Sequence, residues 1–225
     1  MGTTYAVFET RVRADLSDSN SPPLLGSADI DRHVDHAARD LSIVAPLDQL
    51  IVLNVVSGSR AIDLTAIQQQ YTIHRCIAVE WPVDQYPQEY VQFNVFGTTL
   101  TLLVEQAPDG TQPTANLYAK VSMVCGATDS QSTIPAQFDD VLTLGAAGYA
   151  AQELATRLMN TINVGGPVVW EHYLTLSQQL LAGFAAELTQ LRLRYQVFAK
   201  RLYAPEYPPQ GISQTEVYPP EQIYP

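Results

Sequence analysis

The chain has 225 residues, 46% of them hydrophobic, and a formal net charge of −11 from 23 acidic and 12 basic side chains. That is enough apolar chain for one sizeable core or two small ones, which excludes wholesale disorder. The acidic balance excludes tight binding to nucleic-acid phosphates, which needs clustered Lys and Arg, but it does not stop DNA passing without adhering.

Residues 4–16 read as a short helix, with Tyr5, Phe8, Val12 and Leu16 on one side. A loop from Asp18 to the prolines at 22 and 23 ends it. Ser27 or Asp29 is expected to cap a second helix whose buried face is Ile30, Val34, Ala37 and Leu41, with Asp31, Arg32, Asp35 and Arg39 opposite. His33 and His36 share this helix at i, i+3 spacing. No third ligand or H-E-x-x-H motif completes a metal set, so both are read as solvated histidines.

From Leu47 the period changes to two. Ile51, Leu53 and Val55 alternate with Val52, Asn54 and Val56, a turn follows at Ser57 to Ser59, and Ile62 and Leu64 belong to a returning strand. Tyr71, Ile73, Arg75, Ile77 and Val79 predict another strand. Trp81 and Tyr86 sit in a proline-shaped loop. Val91, Phe93 and Val95 lead through Gly97 into Leu100, Leu102 and Val104 as a hairpin, Pro108 to Gly110 is a turn, and 117–124 supplies one more strand. The middle of the chain is thus a small antiparallel β-unit between helices. Cys76 and Cys125, in its apolar runs, are read as buried free thiols.

The stretch 134–203 predicts two consecutive helices. Pro135 opens the first, and Asp139 and Asp140 fall in its first turn, where carboxylates complement the helix dipole. Small residues at Gly145, Ala146, Gly148 and Ala151 then run through it. Each helical glycine costs about 1 kcal/mol against alanine, so close approach of a neighbouring helix is the expected compensation. Gly145, Gly148 and Tyr149 are therefore candidate packing or oligomerisation residues.

Gly165, Gly166 and Pro167 separate this helix from a long one, whose stripe is Tyr173, Leu176, Leu180, Phe184, Leu188, Leu191, Tyr195, Phe198 and Leu202. At about 1.5 Å per residue that helix spans roughly 50 Å, as long as a compact body of this size is wide. Leu174, Leu181, Leu193 and Val197 widen the apolar face beyond what one partner helix needs, which points to neighbouring subunits. Beyond it, Tyr207, Pro208 and Pro209, then Tyr218, Pro219 and Pro220, then Tyr224 recur without periodicity. Such a segment favours polyproline II and cannot bury a core of its own, so 204–225 is read as an extended docking arm.

The fold class is therefore α+β, mainly a helical bundle with an antiparallel β insertion and an extended arm. Its boundaries fall at 1–45, 46–133, 134–203 and 204–225. No Walker loop, nucleophile elbow, zinc-spaced Cys/His set or dinucleotide fingerprint occurs. Asp139 and Asp140, as neighbours in a helix, point about 100° apart and make a poor acid/base pair. The same holds for Glu171 and His172 beside Trp170, and His74 has no evident partner. Catalysis, metals and cofactors are not expected. The N-terminus carries charges where a secretory signal has its apolar core, and no apolar run approaches the roughly 20 residues of a membrane span. A soluble protein made in the cytoplasm, without membrane contact, is expected.

The segment RVRADL from Arg11, then ADIDRHVDHAARDLS from Ala28, resembles the N-terminal helices of tailed-bacteriophage head–tail adaptor (connector) proteins. The β insertion is similar in position. The segment IPAQFDDVLTLGAAGYAA from Ile134 resembles the family's central helix, and the long helix with Leu188 to Arg194 resembles its last helix. The resemblance implies a structural virion protein in a homo-oligomeric ring, usually twelve-fold. Such a ring sits beneath the portal protein, joined to neck and tail proteins and open to passing viral DNA, with the C-terminal segment docked on the portal or a neighbouring subunit. Another neck or tail-completion component, of the stopper type, is the nearest alternative. A carbohydrate- or protein-binding module would instead use Trp81, Tyr86 and Tyr90 as an aromatic platform.

Overall fold

In the computed structural model the described residues are 2–18, 22–159 and 169–198, with the side chains of 196–198 left aside. Periodic apolar spacing gives way to alternation and back again. The elements follow it as α1 (Tyr5–Asp15), α2 (Ser27–Val44), β1 (Leu47–Asn54), β2 (Ala61–Asp63), α3 (Thr65–Gln70) and β3 (Ile73–Glu80). Then come β4 (Tyr90–Val91), β5 (Phe93–Phe96), β6 (Thr99–Leu102), β7 (Thr114–Val121), α4 (Asp139–Met159) and α5 (Val169–Phe198). The fold mixes helices with antiparallel sheets.

Two cores result. The first joins Phe8 and Val12 of α1, Ile30, Val34, Ala37 and Leu41 of α2, Leu142, Ala146, Ala150 and Leu154 of α4, and Phe184 and Leu191 of α5. Each fully buried Leu, Ile or Phe among them contributes about 1.5–3 kcal/mol. Met123, Cys125 and Ile134, which follow β7, also enter this core rather than that of the sheets. The crossing is pinned at Ser42, whose hydroxyl donates to Ala38 O (2.6 Å) and accepts from the Met123 N–H (2.8 Å).

The second core lies between two sheets, one ordered β1-β7-β3-β4 and the other β2-β6-β5. Alternation directs Ile51, Leu53, Val79 and Leu117 of the first sheet against Ile62, Leu100 and Leu102 of the second. The opposite face of β1 leaves Leu50 and Val52 exposed.

Several local expectations change. Gly26, not Ser27 or Asp29, is the N-cap of α2, because both side chains are committed elsewhere. The Ser27 hydroxyl donates to Glu9 (2.6 Å), and Asp29 pairs with Arg157 (3.0 Å). β2 pairs with β6 rather than returning along β1, and Leu64 and Tyr71 cap α3, a helix with no buried residue and hence no amphipathic signature. Register shifts at Ile73/Arg75 and Cys76/Ala78 break the alternation of β3, so Arg75 turns outward and Cys76 packs toward the sheets. The 91–95 run is split at Gln92, with Val91 in one sheet and Phe93 in the other, and Val104 lies beyond β6.

Pro22 and Pro23 follow a loop start held by Asp18. This buried carboxylate accepts from the N–H groups of Leu24 (2.9 Å) and Leu25 (3.3 Å) and pairs with Arg13 (3.1 Å). The expected breaker at Gly165, Gly166 and Pro167, and the stripe residue Leu202, lie outside the described residues.

Candidate functional site

α4 is the helix against which α1, α2 and α5 all pack, and its glycines set the spacing. A Cβ at Gly145 would stand 2.9 Å from the Phe184 ring and 3.0 Å from the Ala37 methyl. One at Gly148 would stand 2.8 Å from the Leu181 side chain. Both glycines therefore permit close helix approach within the chain. Tyr149 stacks on His36, with ring centres 4.1 Å apart, meets Phe184 edge-on, and donates its hydroxyl to Asp40 (2.5 Å). Burial, then the Asp40 carboxylate, raises its pKa.

Phe184 and Leu191 are buried, Leu188 and Tyr195 half-buried, and the Tyr195 ring lies 6.3 Å from that of Phe138. Most of the residues singled out for packing or oligomerisation thus meet at one seam inside the chain. The Phe198 side chain and the arm residues Tyr207, Pro208, Pro209, Tyr218, Pro219, Pro220 and Tyr224 lie outside what is described.

The other side of α5 is open. Leu174, Gln178, Ala182, Ala186, Thr189 and Leu193 recur every three or four residues and are all exposed, with Leu193 at 56%. No charged residue lies among these six. Leu181, expected beside the stripe, turns instead onto Gly148.

His33 is not a solvated histidine. It is 8% exposed, and its Nε2 lies 2.6 Å from Glu153 on α4. Glu153 also pairs with Arg32 (2.5 Å) and Arg157, and Asp29 joins Arg157 (3.0 Å) and Arg32 (3.5 Å). Burial, the largest influence, with help from the Arg32 charge, lowers the His33 pKa although its Glu153 partner raises it. Burial also works against the charge on Glu153, yet its bonds to Arg32 and His33 hold it below the ordinary value. The network clamps α2 to α4.

Asp139 and Asp140 diverge as helical neighbours must. Asp139 is buried, accepts from the Thr3 hydroxyl (2.8 Å) and lies 3.5 Å from Arg11, while the Asp140 side chain is fully exposed. Their first-turn placement stands, and Asp139 additionally ties the N-terminal segment to α4. Cys76 and Cys125 are free thiols. Burial pushes the Cys125 thiol up to about 12 and also raises Cys76, so neither is an activated nucleophile. Among the described residues no three metal-ligating side chains cluster.

Trp81, Tyr86 and Tyr90 differ in their surroundings. Trp81 is half-buried against the sheets, Tyr90 meets Tyr118 edge-on, and Tyr86 stands 99% exposed. Beside them Glu80 is buried on a sheet and accepts from Asn116 (3.0 Å) and the Tyr118 hydroxyl (2.8 Å), a polar pin no local pattern announced.

The two sheets part along one side. There an open cleft of about 420 Å³ is lined by Ile73, His74, Arg75 and Cys76 of β3 and by Phe93, Asn94 and Val95 of β5. His74 is held by Ser122 (2.8 Å). Two unpaired strand edges, rather than a constellation of catalytic groups, make this site.

The chain matches no known family model and no curated protein sequence.

Proposed function

We propose that this chain is a head–tail adaptor of a tailed bacteriophage, a structural virion protein rather than an enzyme. On this reading a helical bundle carrying a β insertion and an extended arm repeats as a homo-oligomeric ring beneath the portal protein, usually twelve-fold in that family. The ring joins the capsid to neck and tail proteins at the head–tail junction. The arm docks on the portal or an adjacent subunit.

The observation that carries the reading is α5. It has 30 residues, about 45 Å of helix, and buries one side in the helical core while the other presents the uncharged strip from Leu174 to Leu193. A strut half inside its own subunit and half open is what a subunit needs to build a wall with its neighbours. The acidic balance of the chain supports a lumen that repels DNA phosphates and keeps the genome mobile.

Native mass spectrometry and negative-stain imaging with purified portal test it. The expected result is a closed ring seated on the portal. A chain that stays monomeric and ignores portal at micromolar concentration would overturn the reading.

A further inference from the structure

The edge strand β5 is open. Its register with β6 places Phe96 opposite Thr99 across a two-residue turn, which makes Phe96 and Asn94 the residues that exchange hydrogen bonds with β6. The Leu103 N–H bond to Gln92 O continues the same alternation. The N–H and C=O groups of Phe93 and Val95 therefore face the cleft.

Nothing in Phe93 to Phe96 blunts that edge: it holds no proline, lysine or bulge, and Val95 and Phe96 are 37% and 87% exposed. Across the cleft, the N-terminal half of β3 is unpaired on its outer side, because β4 reaches only Val79 and Glu80. Its two register shifts make it the poorer template. An unprotected, apolar strand edge in a cleft is built to receive a strand.

We propose that residues 212–218 of this chain dock on β5 as an added antiparallel or parallel strand. The run reads Ile, Ser, Gln, Thr, Glu, Val, Tyr. It is free of proline, rich in residues that favour strands, and bounded by the proline pairs at 208–209 and 219–220. At about 3.3 Å per residue it spans roughly 23 Å, enough to cover β5.

The residues between Phe198 and Ile212 can reach about 45 Å, comparable to the width of the body. Charge agrees with this placement. The arm carries Glu206, Glu216 and Glu221 with no Lys or Arg. Arg75 lines the cleft and forms no ion pair with another described residue. The proline pairs limit the added strand to this run, and the Tyr-Pro flanks serve as spacers. The inference rests on the arm-docking part of the adaptor reading, takes its adjacent-subunit form, and names the strand that receives the arm.

The test is amide hydrogen exchange at Phe93 and Val95 in the full-length chain, compared with Thr215→Pro and Thr215→Val. Proline removes a strand N–H in the arm and leaves every described residue unchanged, whereas valine keeps the strand. Exchange at these two amides should be at least about tenfold faster in T215P and unchanged in T215V. Equal exchange in all three proteins, both free and assembled on portal, overturns the proposal. Ring formation on portal is scored separately. A ring with unprotected β5 sinks this inference and leaves the adaptor reading, while protected β5 without portal binding does the reverse.

Discussion

At His33, burial and charge oppose one another. Burial and the Arg32 charge favour the neutral ring, Glu153 and Asp29 favour the charged one, and the balance puts the folded pKa below the ordinary value near 6.5. The unfolded chain then binds the proton at higher pH than the folded chain. Stability from this group is complete above about pH 6.5 and is lost as pH falls through the folded pKa. Denaturant midpoints should therefore drop between pH 7 and pH 5, and His33→Gln should flatten that slope; an unchanged slope would refute the assignment. The neighbouring charges Arg32, Asp29 and Arg157 are present in both proteins and cancel in the comparison. Gly145 offers a second residue-scale prediction. Alanine there gains about 1 kcal/mol of helix propensity but meets the Phe184 ring and Ala37 methyl, and overpacking costs about 1–3 kcal/mol. Net loss of stability is expected, and a rise in the urea midpoint would show that the seam has room. The glycine seam was legible because a glycine inside a helix needs a reason. The His33–Glu153 contact was not, because the partners stand 120 residues apart.

Among the elements, the β5–β6 hairpin is the most directly encoded. Gly97 holds φ +59 with no atom near its absent Cβ, so substitution strains the backbone rather than crowding a neighbour. Gly97→Val should cost about 1–2 kcal/mol by denaturant unfolding, and Gly97→Asn distinctly less, since Asn tolerates this conformation. Equal losses would mean that packing, not backbone, sets the requirement. Alternation identified β1 and the Leu117–Val121 part of β7, which starts at Thr114 and stops at Val121 rather than running to Val124, because each strand alternates a buried face with a more accessible one. It located β3 but misassigned its faces, because Arg75 shares the expected face with Ile73 and Val79 until the register shifts separate them. α3 escaped for a different reason: a six-residue helix that buries nothing has no apolar period to read. The pairing of β2 with β6 rather than β1 is a sheet-level choice, set by which apolar faces meet in the core between the sheets.

For the whole molecule, the two sides of α5 separate folding from assembly. Phe184 sits in the helical core against Gly145, so Phe184→Ala should cost about 3–5 kcal/mol and disable assembly only by weakening the fold. Ala186 and Leu193 face outward on the open strip, where substitutions change stability by about 0.5 kcal/mol or less. On the proposed adaptor reading, replacing both with glutamate puts like charges on the face where copies meet, and it keeps the core intact. The double variant Ala186→Glu/Leu193→Glu is therefore expected to melt with the native protein yet fail to form rings with portal by negative-stain imaging. If rings persist with native affinity, this face of α5 is not the subunit contact. If melting falls as it does for Phe184→Ala, the strip is covered within its own subunit. Separating those outcomes requires both measurements on the same preparation, because loss of rings alone would not distinguish a broken interface from a broken fold.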